Sequence, residues 1–386
     1  MTTPEAAGAS PDAETMAAHR HSRRRAWMLL TSVLTTAALL TVAFLLPVPF
    51  VKLAPGPTFN VIGDADGRPV IEIGGTETFP VTGSLDMTTV LESGGPRGGL
   101  TFIDAIASWL DPQDAVVPRE LLFPDDITGE EVRSRQAALF STSGSNAISA
   151  ALDHLGLPVT AVVVVDSVYE GTPSDGVFLP RDEILAVNGV PVTSPGDVVD
   201  AVRSEPAGTE LEFTVRRIPE PADDDGEESE RLLEELAVTV TTEDNPDAPG
   251  TPYVGIGVSE LYTADFPITF TLEDVGGPSA GLMFSMGIVD KLTPEDLTAG
   301  QHVAGTGTIT PAGDVGPIGG IRQKLAGARN AGATLFLMPE QHCGEAEGHV
   351  PEGLTVVPVS TLDEAVAAVE GFVDGAELPT CPVDVA

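Results

Sequence analysis

Residues Val275-Gly276-Gly277-Pro278-Ser279-Ala280-Gly281 place a serine among glycines directly ahead of an apolar run from Leu282 to Leu292. The pattern predicts that Ser279 stands at the first turn of a helix. There, unpaired backbone N–H groups and the positive end of the helix dipole can stabilise the oxyanion that forms when a serine attacks an acyl carbon. Glycines beside the serine let a substrate carbonyl approach closely. The chemistry implied is acyl transfer with Ser279 as nucleophile. A second glycine-rich stretch follows: Gly305-Thr306-Gly307-Thr308-Ile309-Thr310-Pro311-Ala312-Gly313-Asp314-Val315-Gly316-Pro317-Ile318-Gly319-Gly320-Ile321-Arg322-Gln323-Lys324.

Taken alone, Gly277 to Gly281 fits G-x-S-x-G, the pattern of an α/β-hydrolase elbow, and His302, His342 and His349 follow it. That fold needs a run of parallel strands alternating with helices before its nucleophile, and the preceding sequence does not read that way. With the second stretch included, the region resembles the proteolytic domain of Lon proteases (S16 type). In that family a G-P-S-A-G serine is followed by G-x-(V/I)-x-P-I-G-G-(L/I)-x-x-K, matched here by Gly277 to Gly281 and by Gly313 to Lys324. The resemblance covers roughly residues 236–370.

The resemblance implies a serine endopeptidase with a Ser279/Lys324 dyad. Ser279 would be the nucleophile and Lys324 the general base. Thr306 would hydrogen-bond the lysine, and Gly277, Pro278, Ala280 and Gly281 would shape the turn. Bringing a lysine from about 10.4 to about 7.5 requires roughly 4 kcal/mol of destabilisation of its cation. Burial among Ile321, Leu325 and Ala328 on its own helix is the expected source. One position departs from the family: many Lon proteases carry Asp immediately before G-P-S, where this chain has Gly276. Glu273 and Asp274 are the nearest carboxylates in sequence.

Upstream, the block from about Gly156 to Thr242 reads as short strands, with a helix from Ser194 to Arg203 capped by Ser194 and a strand from Glu210 to Arg217. It resembles the PDZ domains attached to bacterial proteases. The marks are Glu170-Gly171-Thr172-Pro173-Ser174, Asp182-Glu183-Ile184-Leu185 and Val187-Asn188-Gly189-Val190-Pro191-Val192. Such domains take up an extended peptide tail at an open sheet edge and hold its carboxylate on backbone N–H groups. By resemblance, the carboxylate loop is expected at Leu155-Gly156-Leu157; alternatively, Gly156 ends the preceding helix.

Nearer the N-terminus, Ala26–Leu46 carries no charge and would span roughly 31 Å as a helix, the thickness of a hydrocarbon core. A retained anchor is expected rather than a cleaved signal peptide, because the run is long and no A-x-A site precedes Pro47. Arg20, Arg23, Arg24 and Arg25 then hold the N-terminus in the cytoplasm and leave the rest of the chain outside.

Composition narrows the partners. With 58 acidic against 19 basic side chains, a formal charge of −39 and 5% aromatics, the chain is not built to bind nucleic acid. It has no G-x-x-x-x-G-K-[ST] phosphate loop, so hydrolysis is expected to be independent of ATP and of any cofactor. The acidic run Asp223 to Glu228 lacks the ligand spacing of a calcium loop and reads as a hairpin tip. No metal site is expected at His342, Cys343 and His349. Cys343 and Cys381, placed outside the cell, are expected to form a disulfide. The Lon resemblance also allows a homo-oligomer.

The expected fold is multidomain α+β. It comprises a cytoplasmic tail (1–25), a transmembrane helix (26–46) and a strand and helix region (50–155) that completes the protease domain. A PDZ-like domain (156–242, acidic insert 219–235) and a Lon-type proteolytic α/β domain (243–375) follow. The rival reading is a non-catalytic adaptor that binds tails through its PDZ-like domain and keeps the Lon-like domain as a scaffold.

Overall fold

The computed structural model describes residues 11–65, 67–95, 98–123, 128–217, 234–246, 248–272 and 275–381. Most of the acidic insert, and Glu273 and Asp274, lie outside the described residues. The chain divides into two compact units, Met1–Ala54 with Leu91–Gly129, and Pro55–Val90 with Glu130–Ala386.

In the first unit, helix α1 (Pro11–Leu45) contains one stretch, Arg24–Val42, long and apolar enough to cross a membrane, a test that a signal sequence also passes. The chain then turns into Pro47–Val48, which pairs antiparallel with Leu100–Thr101. Helix α2 (Phe102–Leu110) starts at once, capped by Thr101 Oγ1 accepting from the Asp104 N–H at 3.1 Å. Phe50–Leu53 pairs with Ala115–Pro118, and Lys52 Nζ meets Asp114 at 2.6 Å.

The second unit is built on a sheet in which Thr355–Val359, at one edge, Leu335–Pro339, His302–Gly305 and Ser84–Ser93 run parallel in that order. Side chains alternate between its faces, as the pleat dictates. Val303, Leu335 and Leu337 join a core with helix α5 (Gly281–Leu292), the helix Leu362–Val373 and the C-terminal half of helix α3 (Gly129–His154). Ala304, Phe336 and Met338 face the other way, onto Ile321, Leu325 and Ala328 of helix α6 (Ile321–Ala331). Strands before and after the intervening segment share this architecture, since Ile71–Ile73 also pairs with Ile268–Phe270.

Between them lies an antiparallel sheet in the order Glu234–Thr241, Glu210–Arg217, Glu183–Val187, Thr160–Val168, Ile256–Thr263. Its core holds Phe178, Leu211, Phe213 and Val215 with Val198 and Val202 of helix α4 (Pro195–Arg203). Ser194 and Asp197 cap α4 reciprocally. Ile256–Thr263 completes this sheet from beyond the boundary at 242 expected from sequence. A strand that pairs with a distant partner leaves no local mark of the sheet it joins.

Candidate active site

Ser279 lies in the turn just ahead of α5, two residues before Gly281 opens the helix; the N-cap, Ala280, offers no side chain to the first-turn N–H groups. Gly277 adopts φ +90°, a conformation that disfavours other residues. The turn is fastened on both sides. The Gly277 N–H donates to Gln136 O at 3.0 Å, and Ser143 Oγ donates to Pro278 O at 2.8 Å. The Ser279 carbonyl accepts from Gly307 N at 3.1 Å and from Thr306 Oγ1 at 3.2 Å. Gly281 has no room for a side chain, since a Cβ would stand 2.7 Å from Ile309 Cγ2.

Lys324 arrives from the opposite face of the sheet. Gly320, at φ 69°, redirects the chain into α6, and Lys324 occupies its first turn. Its Nζ stands 2.7 Å from Ser279 Oγ and donates to Thr306 Oγ1 at 2.8 Å. Thr306 follows directly after the strand His302–Gly305 and is fully buried. The three side chains therefore meet at the carboxyl end of a central parallel strand, where helices from the two faces converge, as in open α/β sheets generally.

Lys324 is 3% exposed, and its hydrogen-bond partners are two hydroxyls rather than a carboxylate. Burial lowers its pKa from 10.5 to about 7, because the cation loses water and gains no counter-charge. Ser279 is only half-buried, so the hydroxyl is reachable while the amine is kept dry. Such a pair can activate a serine without histidine. Two of the histidines that follow Ser279 are engaged elsewhere: His302 Nε2 meets Asp86 at 2.9 Å, and His342 Nε2 accepts from Ile318 N at 2.9 Å. Among the described residues no group of three or more His, Cys, Asp or Glu is placed to hold a metal ion.

Sequence reasoning missed the contribution of α3. Ser143 holds the Pro278 carbonyl, and Asn146 Nδ2 donates to Ile309 O at 3.0 Å. Ser145 Oγ accepts from Tyr262 N at 2.5 Å. The signal was the run Ser141-Thr142-Ser143-Gly144-Ser145-Asn146, poor helix formers inside a helix. The same helix accounts for Gly276: a Cβ there would lie 2.7 Å from Gln136 Cβ, so the family's Asp has no space unless α3 changes. Cys343 and Cys381 form a disulfide, and both pack on the core under α6.

The Leu155-Gly156-Leu157 segment is not at a sheet edge. Gly156, at φ 66°, closes α3, with Leu157 N donating to Leu152 O at 2.8 Å, the bond of a glycine helix terminus. A cavity of about 460 Å³ opens instead between α4 and the outer strand Ile256–Thr263. Val198, Val199 and Val202 line it on one side and Val254, Gly255 and Ile256 on the other. The Glu170–Ser174 motif and the residue before it brace this second apolar-Gly-apolar run: Tyr169 N donates to Gly255 O at 3.0 Å and Ser174 N to Val254 O at 3.1 Å. A Cβ on Gly255 would collide with Thr172.

Residues 273–370 match the model of the Lon protease (S16) C-terminal proteolytic domain, and residues 164–217 match that of the PDZ domain. The Lon protease of Lachnoclostridium phytofermentans is 39% identical over 93 residues, 23% of this chain and 11% of that protein. Lon protease 1 of Bacillus subtilis is 39% identical over 93 residues, 23% of this chain and 12% of that protein. The chain thus spans about a tenth of the length of these curated relatives. Among solved structures, the PDZ domain of the SdrC-like protein of Listeria monocytogenes aligns at 20% identity and TM-score 0.19, over 25% of this chain and 85% of that one. GtR34C of Geobacillus thermodenitrificans aligns at 22% identity and TM-score 0.19, over 24% and 88%.

Proposed function

We propose that this chain, which carries a PDZ domain and a C-terminal Lon-type proteolytic domain, is a membrane-anchored, ATP-independent serine endopeptidase acting through Ser279 and Lys324. The observation that carries the reading is the 2.7 Å approach of a buried, carboxylate-free lysine amine to the hydroxyl of the part-buried Ser279. The neutral amine takes the Ser279 proton as Oγ bonds to the peptide carbonyl carbon. The carbonyl oxygen becomes an oxyanion beside the open start of α5. On collapse the C–N bond breaks, and the Lys324 ammonium hands its proton to the leaving amine. Water then attacks the acyl ester, giving one proton to Nζ; that proton returns to Ser279 Oγ as the carboxylic acid leaves, which then ionises in solvent. Thr306 accepts one Nζ–H and so aims the lone pair at Ser279.

Substrates in this reading are flexible or unfolded protein segments, since the sequence has no phosphate loop to couple unfolding to ATP. The groove between α4 and Ile256–Thr263 would take an extended tail as an added strand, its carboxylate on the backbone around Val254-Gly255-Ile256. α1 would anchor the enzyme with the catalytic unit outside the cytoplasm.

The full chain in nanodiscs, given an unfolded protein without nucleotide, is expected to cleave it. Ser279→Ala and Lys324→Met should each abolish cleavage, and Val199→Glu should weaken capture of a C-terminal tail while sparing cleavage of short peptides. Full activity of either dyad variant would refute the mechanism, and an absolute requirement for ATP would refute the ATP-independent part.

A further inference from the structure

Helix α2 wears its apolar residues on the outside. Phe102, Ile103, Ile106, Trp109 and Leu110 recur at the spacing of a single helical stripe, and all are exposed, Trp109 at 77% and Leu110 at 70%. The residue turned inward is polar: Ser108 is 3% exposed. A helix at the surface of a water-soluble unit has the opposite arrangement. Asp104 is the helix's only charged side chain, and its Oδ2 accepts from Thr101 Oγ1 at 2.7 Å at the N-cap, so none sits further along the helix.

The position of α2 within its unit says what covers that stripe. Its first residue follows Leu100–Thr101, which is paired with Pro47–Val48, just past the end of α1 at Leu45, the helix that holds the candidate span. Paired strands lie about 5 Å apart. The Phe44 ring near the end of α1 packs on the Phe102 ring, with centroids 5.9 Å apart. The apolar surface of the span thus continues onto the stripe.

We propose that α2 lies in the headgroup region of the bilayer as an interfacial helix, with Trp109 and Leu110 inserted among the lipid chains and the inward side of the helix on the protein. The inference rests on the reading of α1 as an anchor. Because α2 carries no Lys or Arg, insertion is driven by apolar burial and needs no anionic lipid. A second contact with the surface would restrict how the unit pivots about its span.

The chain has two tryptophans, Trp27 in α1 and Trp109 in α2, so each helix can be read separately. The full chain would be placed in zwitterionic phosphatidylcholine nanodiscs containing lipid nitroxide-labelled near the top of the acyl chain. In the Trp27→Phe variant, Trp109 emission should be quenched by the labelled lipid and protected from aqueous iodide. Adding Ile106→Asp should reverse both effects. In the Trp109→Phe variant, quenching of Trp27 reports the span itself. Trp27 quenched with Trp109 open to iodide would overturn the α2 proposal and leave the anchor standing. Neither quenched would overturn both. A Trp109 shielded from iodide but untouched by labelled lipid would mean that protein covers the stripe, which also overturns it.

Discussion

Lowering the pH tests the proposed dyad most directly, because the amine works only when uncharged. With a pKa of about 7, roughly half of Lys324 is neutral at pH 7, against about one molecule in 3,000 for a solvated lysine at 10.5. Cleavage efficiency, kcat/KM on an unfolded substrate, should therefore fall about tenfold from pH 8 to pH 6 and level off above about pH 8. The same shift acts on stability. Because the folded pKa lies below the unfolded one, the folded state binds fewer protons between about pH 7 and 10.5, and stability rises with pH across that window. Below about pH 7 the full cost remains, three and a half units or about 5 kcal/mol. Lys324→Met removes that cost and forfeits about 1 kcal/mol from the hydrogen bond to Thr306. In a Ser279→Ala background, which prevents self-cleavage, hydrogen exchange of residues 321–331 should show Lys324→Met protected by up to about 4 kcal/mol more at pH 6. The advantage should shrink by about 1.4 kcal/mol per pH unit above 7. A kcat/KM flat from pH 6 to 9, or a Met variant less protected than its parent at pH 6, would refute the buried neutral amine.

Thr306→Val keeps the shape of a fully buried side chain but removes its hydroxyl; kcat should drop about tenfold with little change in KM, as expected for a lost bond that orients Lys324. Gly276→Asp should cost about 1–3 kcal/mol through its collision with Gln136 Cβ and depress cleavage. Adding Gln136→Gly should restore part of that loss in the same peptide assay, and an unimproved double variant would disprove the contact. Reducing the Cys343–Cys381 disulfide, which closes a sequence separation of 38 residues under α6, should cost about 2–4 kcal/mol, read as lost exchange protection in α6.

Short motifs were legible wherever their job is local. The open helix start after Ser279 and the Ser194 cap of α4 were read from a few neighbouring residues, and Gly277 at positive φ, the reciprocal Asp197 bond and Gly320 turning the chain into α6 are features of the structure that are equally local. Two runs of the form apolar-Gly-apolar, Leu155-Gly156-Leu157 and Val254-Gly255-Ile256, look alike as strings. Which ends a helix and which faces a groove depends on whether an outer strand and α4 stand beside it. Likewise Ser143 and Gln136 sit far from Ser279 in the chain, and no periodicity in α3 announces that they hold its turn.

From residue types and spacing came a nucleophile at a helix entrance, an apolar N-terminal stretch and an acidic chain unsuited to nucleic acid, while Lys324 was singled out by the resemblance to Lon proteases. Folding alone could bring Lys324 and Ser279 to one strand end from opposite faces of a sheet, and could strip the amine of water. Desolvation and strand pairing sum over residues distant in sequence, whereas caps, turns and charge runs are settled within a few positions of each other.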